Sequence, residues 1–392
     1  MKYITRTVWI LSVISLCTDA ASEMLYPIMP MYLKSIGFSV LLIGILEGIA
    51  EAVAGLSKGY FGKQSDVMGK RVPFVQIGYG LSALSKPIMA VFVFPLWVFA
   101  ARTLDRIGKG IRTGARDALL SDEATPQTKG KVFGFHRSMD TLGAVLGPAS
   151  ALLFLLYFPG QYHTLFYLAF IPGALAIVAS LLLTERNQQP ATVAPRVPFF
   201  AFLGYWGTSP VLYRKVVTGL LAFALLNSSD VFLLMKARQS GLDDTTVIAL
   251  YIFYNLVYVV CAFPLGILAD KIGLKNMFTI GLGIFAIVYV GFSSATTLPM
   301  YSMLFVLYAI YAAATEGISK AWISNISAKE DTATAIGTYS GLQSICALLA
   351  SSFAGFLWYS VNDSTPFLVA GIGTVCVIIY LIMFVPPQQQ TA

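Results

Sequence analysis

Phe99–Leu120 reads FAARTLDRIGKGIRTGARDALL, a segment long enough to cross a bilayer that carries seven charged side chains. Spacings of three or four residues place five of these charges on one face of a helix, at positions 102, 105, 109, 112 and 116. Arg106 lies beside that face. A lipid-facing helix cannot hold so many charges, so the segment is expected to line a wet interior. The pattern predicts a helix of a membrane transporter.

The composition is typical of a membrane protein, because 57% of the 392 residues are hydrophobic and only 11% are charged. The roughly 20 residues that a bilayer requires are available in about twelve segments. The predicted spans lie near 7–33, 41–62, 73–93, 95–120, 131–157, 164–184, 214–235, 246–269, 276–295, 299–325, 333–360 and 364–386. The expected fold class is an all-α polytopic membrane protein.

The distribution of basic residues predicts the topology of these spans. If both termini are cytoplasmic, fourteen basic residues outside the spans face the cytoplasm and three face the other side. If the charged fourth segment did not cross the membrane, every later loop would lie on the opposite side and the bias would disappear. We therefore predict a multi-pass protein of the cytoplasmic (inner) membrane. The net charge of +7 follows from this bias, and no basic tail or basic-aromatic run indicates a nucleic-acid partner.

The middle of the chain separates two halves. Residues 185–212 are rich in Asn, Gln, Pro, Thr and Ser, and their aromatic part near Pro198–Trp206 suits the membrane surface. The sequence GKQSDVMGKR at 62–71 is echoed by GILADKIGLK at 266–275. Repeats of this kind are typical of transporters built from two parallel six-helix halves. We predict an N-terminal half at 1–184, a cytoplasmic linker at 185–212 and a C-terminal half at 213–392.

With this repeated loop, the chain resembles the major facilitator superfamily over essentially its full length. The resemblance implies that the loop aspartate caps or pairs with helix ends and basic residues to stabilise one gating state. The positions that match this gating and structural pattern are Gly62, Asp66, Gly69 and Arg71, with Asp270 in the second copy.

The fifth span resembles the antiporter motif of the same family, G-x8-G-x3-G-P-x2-G-G. Gly134, Gly143, Gly147 and Pro148 have the motif's spacing, whereas Ala151 and Leu152 replace its last glycines. The match favours proton-driven export, and import remains the alternative because importers also use small-residue faces. The fourth span, with Arg102 near its start, resembles a bacterial subgroup whose substrates are mostly unassigned. The resemblance therefore implies the fold and not the cargo.

Carboxylates in the predicted spans are the candidates for proton coupling. Asp19 and Glu23 lie one helical turn apart on the first span, and Glu47 and Glu51 do so on the second. A carboxylate beside another one can carry a proton, whereas a carboxylate paired with arginine stays ionised. Both roles are open at this stage. The proposed proton-coupling residues are Asp19, Glu23, Glu47, Glu51 and Asp105.

Basic groups near the middle of the fourth span are the candidates for binding an anion. Their charge-assisted hydrogen bonds suit a carboxylate-bearing solute, although neutralisation of the nearby carboxylates is an alternative role. We favour an anionic or zwitterionic solute over a simple cation. Polar groups in the second half would orient the cargo. The predicted substrate-binding residues are Arg106, Lys109, Arg112, Asn227, Tyr254, Asn255, Glu316 and Tyr339.

Charged groups at the start of the fifth span are assigned to gating or structure. A histidine there can relay protons, but packing against the neighbouring loop is the alternative. The additional gating or structural residues are Arg102, Arg116, His136, Arg137 and Asp140.

No nucleophile-base pair, metal constellation or nucleotide-binding loop is present in the sequence, so we predict no cofactor, no metal and no enzymatic activity. The predicted function is proton-coupled secondary transport of a small organic solute by a monomer in the lipid bilayer, with sodium as the alternative ion. Export is favoured over uptake of a carboxylate-rich or siderophore-like compound. A polytopic membrane enzyme is the alternative of a different class.

Overall fold

The computed structural model describes residues 4–26, 29, 32–33, 37, 40–92, 94–185 and 198–386. Side chains of the second long helix are described from Val53 onward. Within these residues the chain forms fourteen α-helices and no β-strand. The helices are α1 (Arg6–Leu25), α2 (Val40–Met68), α3 (Val72–Val91), α4 (Pro95–Asp122), α5 (Lys129–Tyr157), α6 (Tyr162–Ser180), α7 (Tyr205–Thr208), α8 (Val211–Ala224), α9 (Val231–Gln239), α10 (Asp244–Ile272), α11 (Leu274–Ser294), α12 (Leu298–Ile326), α13 (Thr332–Ser360) and α14 (Thr365–Phe384).

Many of these helices have the length and apolar composition of membrane spans. In the described part of the chain, eight helices meet both conditions, namely α1, α5, α6 and α10–α14. Helix α4 is long enough at 28 residues, but its charges exclude it from this group. The helical architecture is that of a multi-pass membrane protein.

Each repeated loop contains a glycine with a positive φ. Gly69 lies between α2 and α3 with a φ of +61°, and Gly273 lies between α10 and α11 with a φ of +93°. Only glycine adopts this left-handed region without steric cost. The two copies of the loop therefore require glycine at the same position for the same reason.

Helix packing repeats with an offset of six predicted spans. Helix α4 packs on α2 and α3, and α3 packs on α6. In the second half, α12 packs on α10 and α11, and α11 packs on α14. The same order of contacts in both halves agrees with an internal repeat of parallel topology.

The described residues cluster into two compact units. Unit 1 lies within Met1–Glu123, Met139–Thr208 and Ala328–Gly341, and unit 2 lies within Ala124–Ser138, Ser209–Ser327 and Leu342–Ala392. Helices α5 and α13 each contribute one end to each unit. An apolar core in unit 1 includes Leu25, Met89, Val98, Ala151 and Phe166.

The span predicted near 214–235 is interrupted. Helix α8 ends at Ala224, and α9 begins only at Val231. The intervening Asn227-Ser-Ser-Asp230 combines four residues whose side chains compete for backbone hydrogen bonds and so disfavour a helix interior. The backbone N–H of Ser229 donates instead to Ser351 Oγ at 3.1 Å. Hydropathy alone does not reveal this break.

Glycines on α5 lie directly against the backbone of α1 in unit 1. A Cβ atom at Gly143 would lie 2.4 Å from the carbonyl oxygen of Leu16, and one at Gly147 would lie 2.5 Å from that of Ala20. Pro148 follows inside α5. The small-residue face of the fifth span is thus the surface that α1 contacts.

Gly143→Ala is expected to lower the thermal unfolding midpoint of the purified protein, because an overpacked interface typically costs about 1–3 kcal/mol. Gly80→Ala is the matched control, since Gly80 also lies in a helix but a Cβ there meets nothing within 4 Å. Its midpoint should equal or exceed that of the wild type, because alanine is the better helix former. Equal midpoints for the two variants would contradict the close contact of α1 and α5.

Candidate functional site

Two carboxyl groups meet in the interior of unit 1. Asp19 on α1 and Asp140 on α5 lie within hydrogen-bonding reach of each other. Ser15 Oγ donates a hydrogen bond to Asp140 Oδ1. Arg116 Nη1 on α4 in turn donates to Ser15 Oγ at 3.4 Å. The α1–α5 glycine contact therefore places Asp140, which the sequence assigned to gating, beside a predicted proton-coupling residue.

A mixed acidic and basic rim surrounds this carboxyl pair. Asp19, Glu23, Arg106 and Lys109 are all partly exposed, whereas Asp140 is buried. Lys109 is close enough to interact electrostatically with both Asp19 and Glu23, and Arg106 with Glu23. Water can reach the rim, so these groups can exchange protons or contact a charged solute.

Other charged side chains of α4 form ion pairs and hydrogen bonds with side chains of α3. Asp105 accepts a hydrogen bond from Lys86 Nζ at 2.8 Å, and its carboxylate lies 3.7 Å from Arg102 Nη1. Arg112 donates to Ser82 Oγ at 2.5 Å, and its guanidinium carbon lies 4.5 Å from the ring centroid of Tyr79. These side chains are buried. Asp105 and Arg112, predicted for proton coupling and substrate binding, thus belong to a buried network of side chains from α3 and α4.

Three further residues predicted for proton coupling or substrate binding lie on α2 and α13. Glu47 and Glu51 lie on α2, but their side chains lie outside the described residues. Tyr339 lies on α13, where it is buried in unit 1.

Each repeated loop caps the first turn of another helix. In unit 1, Asp66 Oδ2 accepts hydrogen bonds from the backbone N–H and the hydroxyl of Thr334, at 2.6 and 2.8 Å. In unit 2, the carboxylate of Asp270 accepts hydrogen bonds from the backbone N–H groups of Gly130 and Lys131, at 2.7 and 2.9 Å. A carboxylate at a helix N-terminus satisfies free N–H groups and interacts favourably with the helix dipole.

Glycines allow the helices at these caps to approach closely. A Cβ at Gly62 would lie 2.4 Å from the carbonyl oxygen of Ala333 in unit 1. A Cβ at Gly134 would lie 2.7 Å from the carbonyl oxygen of Ala262 in unit 2. Each capping site thus combines an aspartate from a repeated loop with a glycine that allows close contact between helices.

Arg71 organises the loop of unit 1. Its guanidinium lies 3.5 Å from Asp66, forms an ion pair with Asp122 and donates to the carbonyl oxygen of Lys329 at 3.1 Å. Its backbone N–H donates to the carboxylate of Glu185 at 3.1 Å. Arg71 is only 2% exposed, so these partners, rather than water, compensate the positive charge of its guanidinium.

Asp66→Ala is expected to increase maleimide labelling of a cysteine introduced as Ala333→Cys in a chain whose four native cysteines are replaced. Ala333 is fully buried beside the cap, and loss of an N-cap costs about 0.5–2 kcal/mol, which favours separation of this contact. Glu330→Ala, an exposed acid in the same segment, is the control and should leave labelling unchanged. Equal labelling rates with and without Asp66 would contradict the capping role.

Polar groups of unit 2 form two further clusters. Arg137 pairs with Glu316, and Tyr258 hydrogen-bonds to both of them. The hydroxyl of Tyr308 donates to Asp230 Oδ1 at 2.6 Å, next to the break between α8 and α9. Glu316, predicted to bind substrate, is thus joined to Arg137, predicted for gating.

The remaining predicted residues of unit 2 have local roles. The amide of Asn255 donates to the carbonyl oxygen of Tyr251 at 3.0 Å within α10. The ring of Tyr254 packs against that of Tyr308, with centroids 5.2 Å apart. The side-chain oxygen of Asn227 is buried and has no hydrogen-bond partner among the described residues.

His136, the histidine that could relay protons at the start of the fifth span, is buried, with an exposed fraction of 4%. In the described part of the chain, no group of three or more His, Cys, Asp or Glu side chains is arranged to hold a metal ion.

Sequence reasoning missed several residues of these clusters. Ser15 lies one turn before Asp19 on α1, a signal that could have placed it on the same face. Asp230 is not one of the missed residues, because it is an acid within a predicted span and belongs to the polar groups of the second half that are expected to orient the cargo. The contacts of Lys86 and Tyr258 involve helices distant in sequence, and no local pattern indicates them.

Comparison with known proteins places this fold in a family. The sequence profile of the Major Facilitator Superfamily matches residues 11–253 and 231–392. An uncharacterised MFS-type transporter of Methanocaldococcus jannaschii is 33% identical over 363 residues, covering 91% of this chain and 89% of that protein. The staphyloferrin B transporter of Staphylococcus aureus is 25% identical over 260 residues, covering 62% of this chain and 59% of that protein.

A solved structure agrees with this relationship. The crystal structure of the human organic anion transporter MFSD10 has the same fold, with a TM-score of 0.83 and 15% identity, over 96% of this chain and 99% of that one. The repeated capping loops, the repeated helix packing and the sequence matches over most of the chain lead to one conclusion: the chain belongs to the Major Facilitator Superfamily.

Proposed function

We propose that the chain is a proton-coupled secondary transporter that moves a small organic anion or zwitterion by alternating access. Membership of the family supports secondary transport. The observation that carries proton coupling is the Asp19–Asp140 carboxyl pair inside unit 1.

The geometry of this pair favours proton binding. Two carboxylates within hydrogen-bonding reach repel each other strongly when both are ionised, and a proton held between them removes that repulsion. Asp140 is buried, and Asp19 is partly exposed. A proton can therefore enter or leave through Asp19 while Asp140, held by Ser15, stays in place.

The rim supports an anionic or zwitterionic cargo. Arg106 and Lys109 are partly exposed, so each can donate hydrogen bonds to a solute carboxylate. Lys109 also interacts with Asp19 and Glu23. The ammonium of Lys109 faces both the proton site and the exposed rim where the cargo carboxylate would bind. Binding of a proton or of the cargo at one of these two sites therefore changes the electrostatic free energy of the other. This shared side chain is the proposed basis of coupling.

Several features of the proposal follow from the sequence. We propose insertion in the cytoplasmic membrane as a monomer, with both termini cytoplasmic and halves at 1–184 and 213–392. Glu47, Glu51, Asn227, Tyr254, Asn255 and Tyr339 remain predictions for the coupling and cargo sites. The antiporter-like glycines on α5 favour export, and sodium is the alternative coupling ion.

A second candidate function is uptake or release of a carboxylate-rich or siderophore-like compound. The similarity to the staphyloferrin B transporter of Staphylococcus aureus supports this candidate. It uses the same basic rim and differs from the first candidate in the size of its cargo.

The test is transport in proteoliposomes that contain a trapped pH-sensitive dye. Citrate, benzoate, glutamate and tetraethylammonium are added in turn at zero membrane potential, and the internal pH is recorded. We expect the carboxylates to move protons and tetraethylammonium to leave the internal pH unchanged. Protein-free liposomes provide the control for passive leakage of the acids.

The outcomes separate the alternatives. Carboxylate-dependent proton movement supports the proposal, and its sign distinguishes symport from antiport. Flux that depends on sodium and not on pH would show that sodium, rather than the proton, is the coupling ion. Proton movement only with tetraethylammonium would contradict an anionic cargo.

A further inference from the structure

Arg137, Tyr258 and Glu316 form a closed set of hydrogen bonds in unit 2, which we term the arginine triad. Arg137 Nη2 pairs with Glu316 Oε2, and Arg137 Nε donates to the Tyr258 hydroxyl at 2.8 Å. The Tyr258 hydroxyl donates to the same Glu316 oxygen at 2.8 Å. One carboxylate oxygen is thus bound by a guanidinium and a phenol.

The Arg137–Glu316 ion pair of the triad is exposed, whereas the Lys86–Asp105 ion pair of unit 1 is buried. The side chains of Arg137 and Glu316 are 35% and 43% exposed. Those of Lys86 and Asp105 are 2% and 7% exposed. A carboxylate in the triad can therefore exchange with one from solution, whereas Asp105 is enclosed by protein.

The two donors are fixed independently of Glu316. Tyr258 is 1% exposed, and its ring lies next to that of Tyr254, with centroids 6.1 Å apart. The guanidinium carbon of Arg137 lies 5.4 Å from the centroid of the Tyr258 ring. Stacking of this kind restricts the orientation of an arginine fork. The donor pair is therefore preorganised for a carboxylate, whichever carboxylate occupies it.

We propose that Arg137 and Tyr258 are a receptor for a carboxylate group of the cargo, and that Glu316 occupies this receptor until the cargo displaces it. The inference rests on the proposed transport of an anionic or zwitterionic solute and adds the chemical group and its binding site. It reverses the roles predicted from the sequence, since Arg137 binds the cargo and Glu316 competes with it.

Displacement conserves charge in the receptor. The cargo carboxylate replaces one negative charge by another, so Arg137 is never left unpaired. Glu316 moves to solvent, to which its side chain is already exposed. Exchange of one hydrated carboxylate for another carries a smaller cost than desolvating a new charge. The receptor thus selects carboxylates over neutral analogues.

The test is binding of benzoate and citrate to the purified full-length protein in detergent, measured by isothermal titration calorimetry. Glu316→Gln is expected to bind both acids about tenfold more tightly than the wild type, because the competing charge is removed. Arg137→Gln should lose binding, and Arg137→Lys should weaken it because an ammonium lacks the planar fork. Benzamide, the neutral analogue of benzoate, should not bind.

The controls separate competition from general effects. Glu330→Gln removes an exposed carboxylate elsewhere and should leave the affinity unchanged. Size-exclusion chromatography and thermal unfolding show whether each variant is folded, and titration of wild type with citrate provides a reading that needs no substitution at Glu316.

Equal or weaker binding by Glu316→Gln would overturn the proposal, and so would retained binding by Arg137→Gln or the absence of binding by both the folded wild type and folded Glu316→Gln. These outcomes are independent of proton coupling. Tighter binding by Glu316→Gln without proton-coupled flux would instead contradict the proposed function and leave the carboxylate receptor intact.

Discussion

Asp140→Asn is expected to reduce proton-driven transport by about tenfold or more while exchange of labelled solute across the membrane continues. Asparagine has the shape of protonated aspartic acid and can still accept the hydrogen bond from Ser15. It cannot bind or release a proton, so the site with Asp19 is held at the single negative charge that a proton-sharing carboxyl pair carries. Exchange requires alternation of the loaded carrier but no release of the proton. The measurement compares pH-driven uptake with counterflow in the same proteoliposomes.

The control for this effect is Asp363→Asn, because Asp363 lies in the turn between α13 and α14, outside the membrane-spanning helices. It should retain both activities. Asp19→Asn should behave like Asp140→Asn, and the double variant should be no worse than either, because residues that act as a unit are not additive. Full pH-driven transport by Asp140→Asn would remove the carboxyl pair from the mechanism.

Lys86→Met is expected to destabilise the protein by about 3–5 kcal/mol, because it leaves the carboxylate of Asp105 buried with weaker compensation. The Nζ–Oδ1 distance is 2.8 Å, and both side chains are almost fully buried. Arg102 remains 3.7 Å away, which is too far to replace the hydrogen bond from Lys86. Lys86→Met with Asp105→Leu should recover most of the loss, since an apolar pair of similar volume removes both charges.

Lys236→Met provides a matched comparison, because Lys236 Nζ lies at the same 2.8 Å from Asp363. The hydrogen bond from Lys236 lowers the pKa of Asp363, so the carboxylate of Asp363 is ionised in neutral buffer. Asp363 is 27% exposed, and water can solvate it once Lys236 is removed. We expect a loss of about 1 kcal/mol or less. Equal thermal shifts for Lys86→Met and Lys236→Met would show that burial does not set the cost.

The sequence predicts the architecture well, because its strongest signals are periodic or repeated. The charged face of α4, the basic loops and the two copies of the loop motif each follow from local spacing. Asp66 and Asp270 were expected to interact with helix ends, and both accept hydrogen bonds from first-turn N–H groups. The helical membrane fold and the family are confirmed by the packing pattern and the sequence match.

The candidate site is less predictable, because its pairs come from helices distant in sequence. Residues 15 and 140 hydrogen-bond across a separation of 125 positions, and residues 137 and 316 across 179. Spacing identifies which faces are polar but not which faces meet. The break before α9 depends on four polar residues within an apolar segment, where average hydropathy conceals them.

The two loop caps also differ in the order in which their parts are synthesised. Asp270 follows Gly130 by 140 residues, so the helix end that it caps already exists when Asp270 leaves the ribosome. Asp66 precedes Thr334 by 268 residues, so its partner is made near the end of translation. Asp66 and Arg71 therefore cannot form their contacts with Thr334 and Lys329 until the segment that contains α13 has been synthesised and inserted. Insertion of that late helix is the step that completes unit 1 in the growing membrane protein.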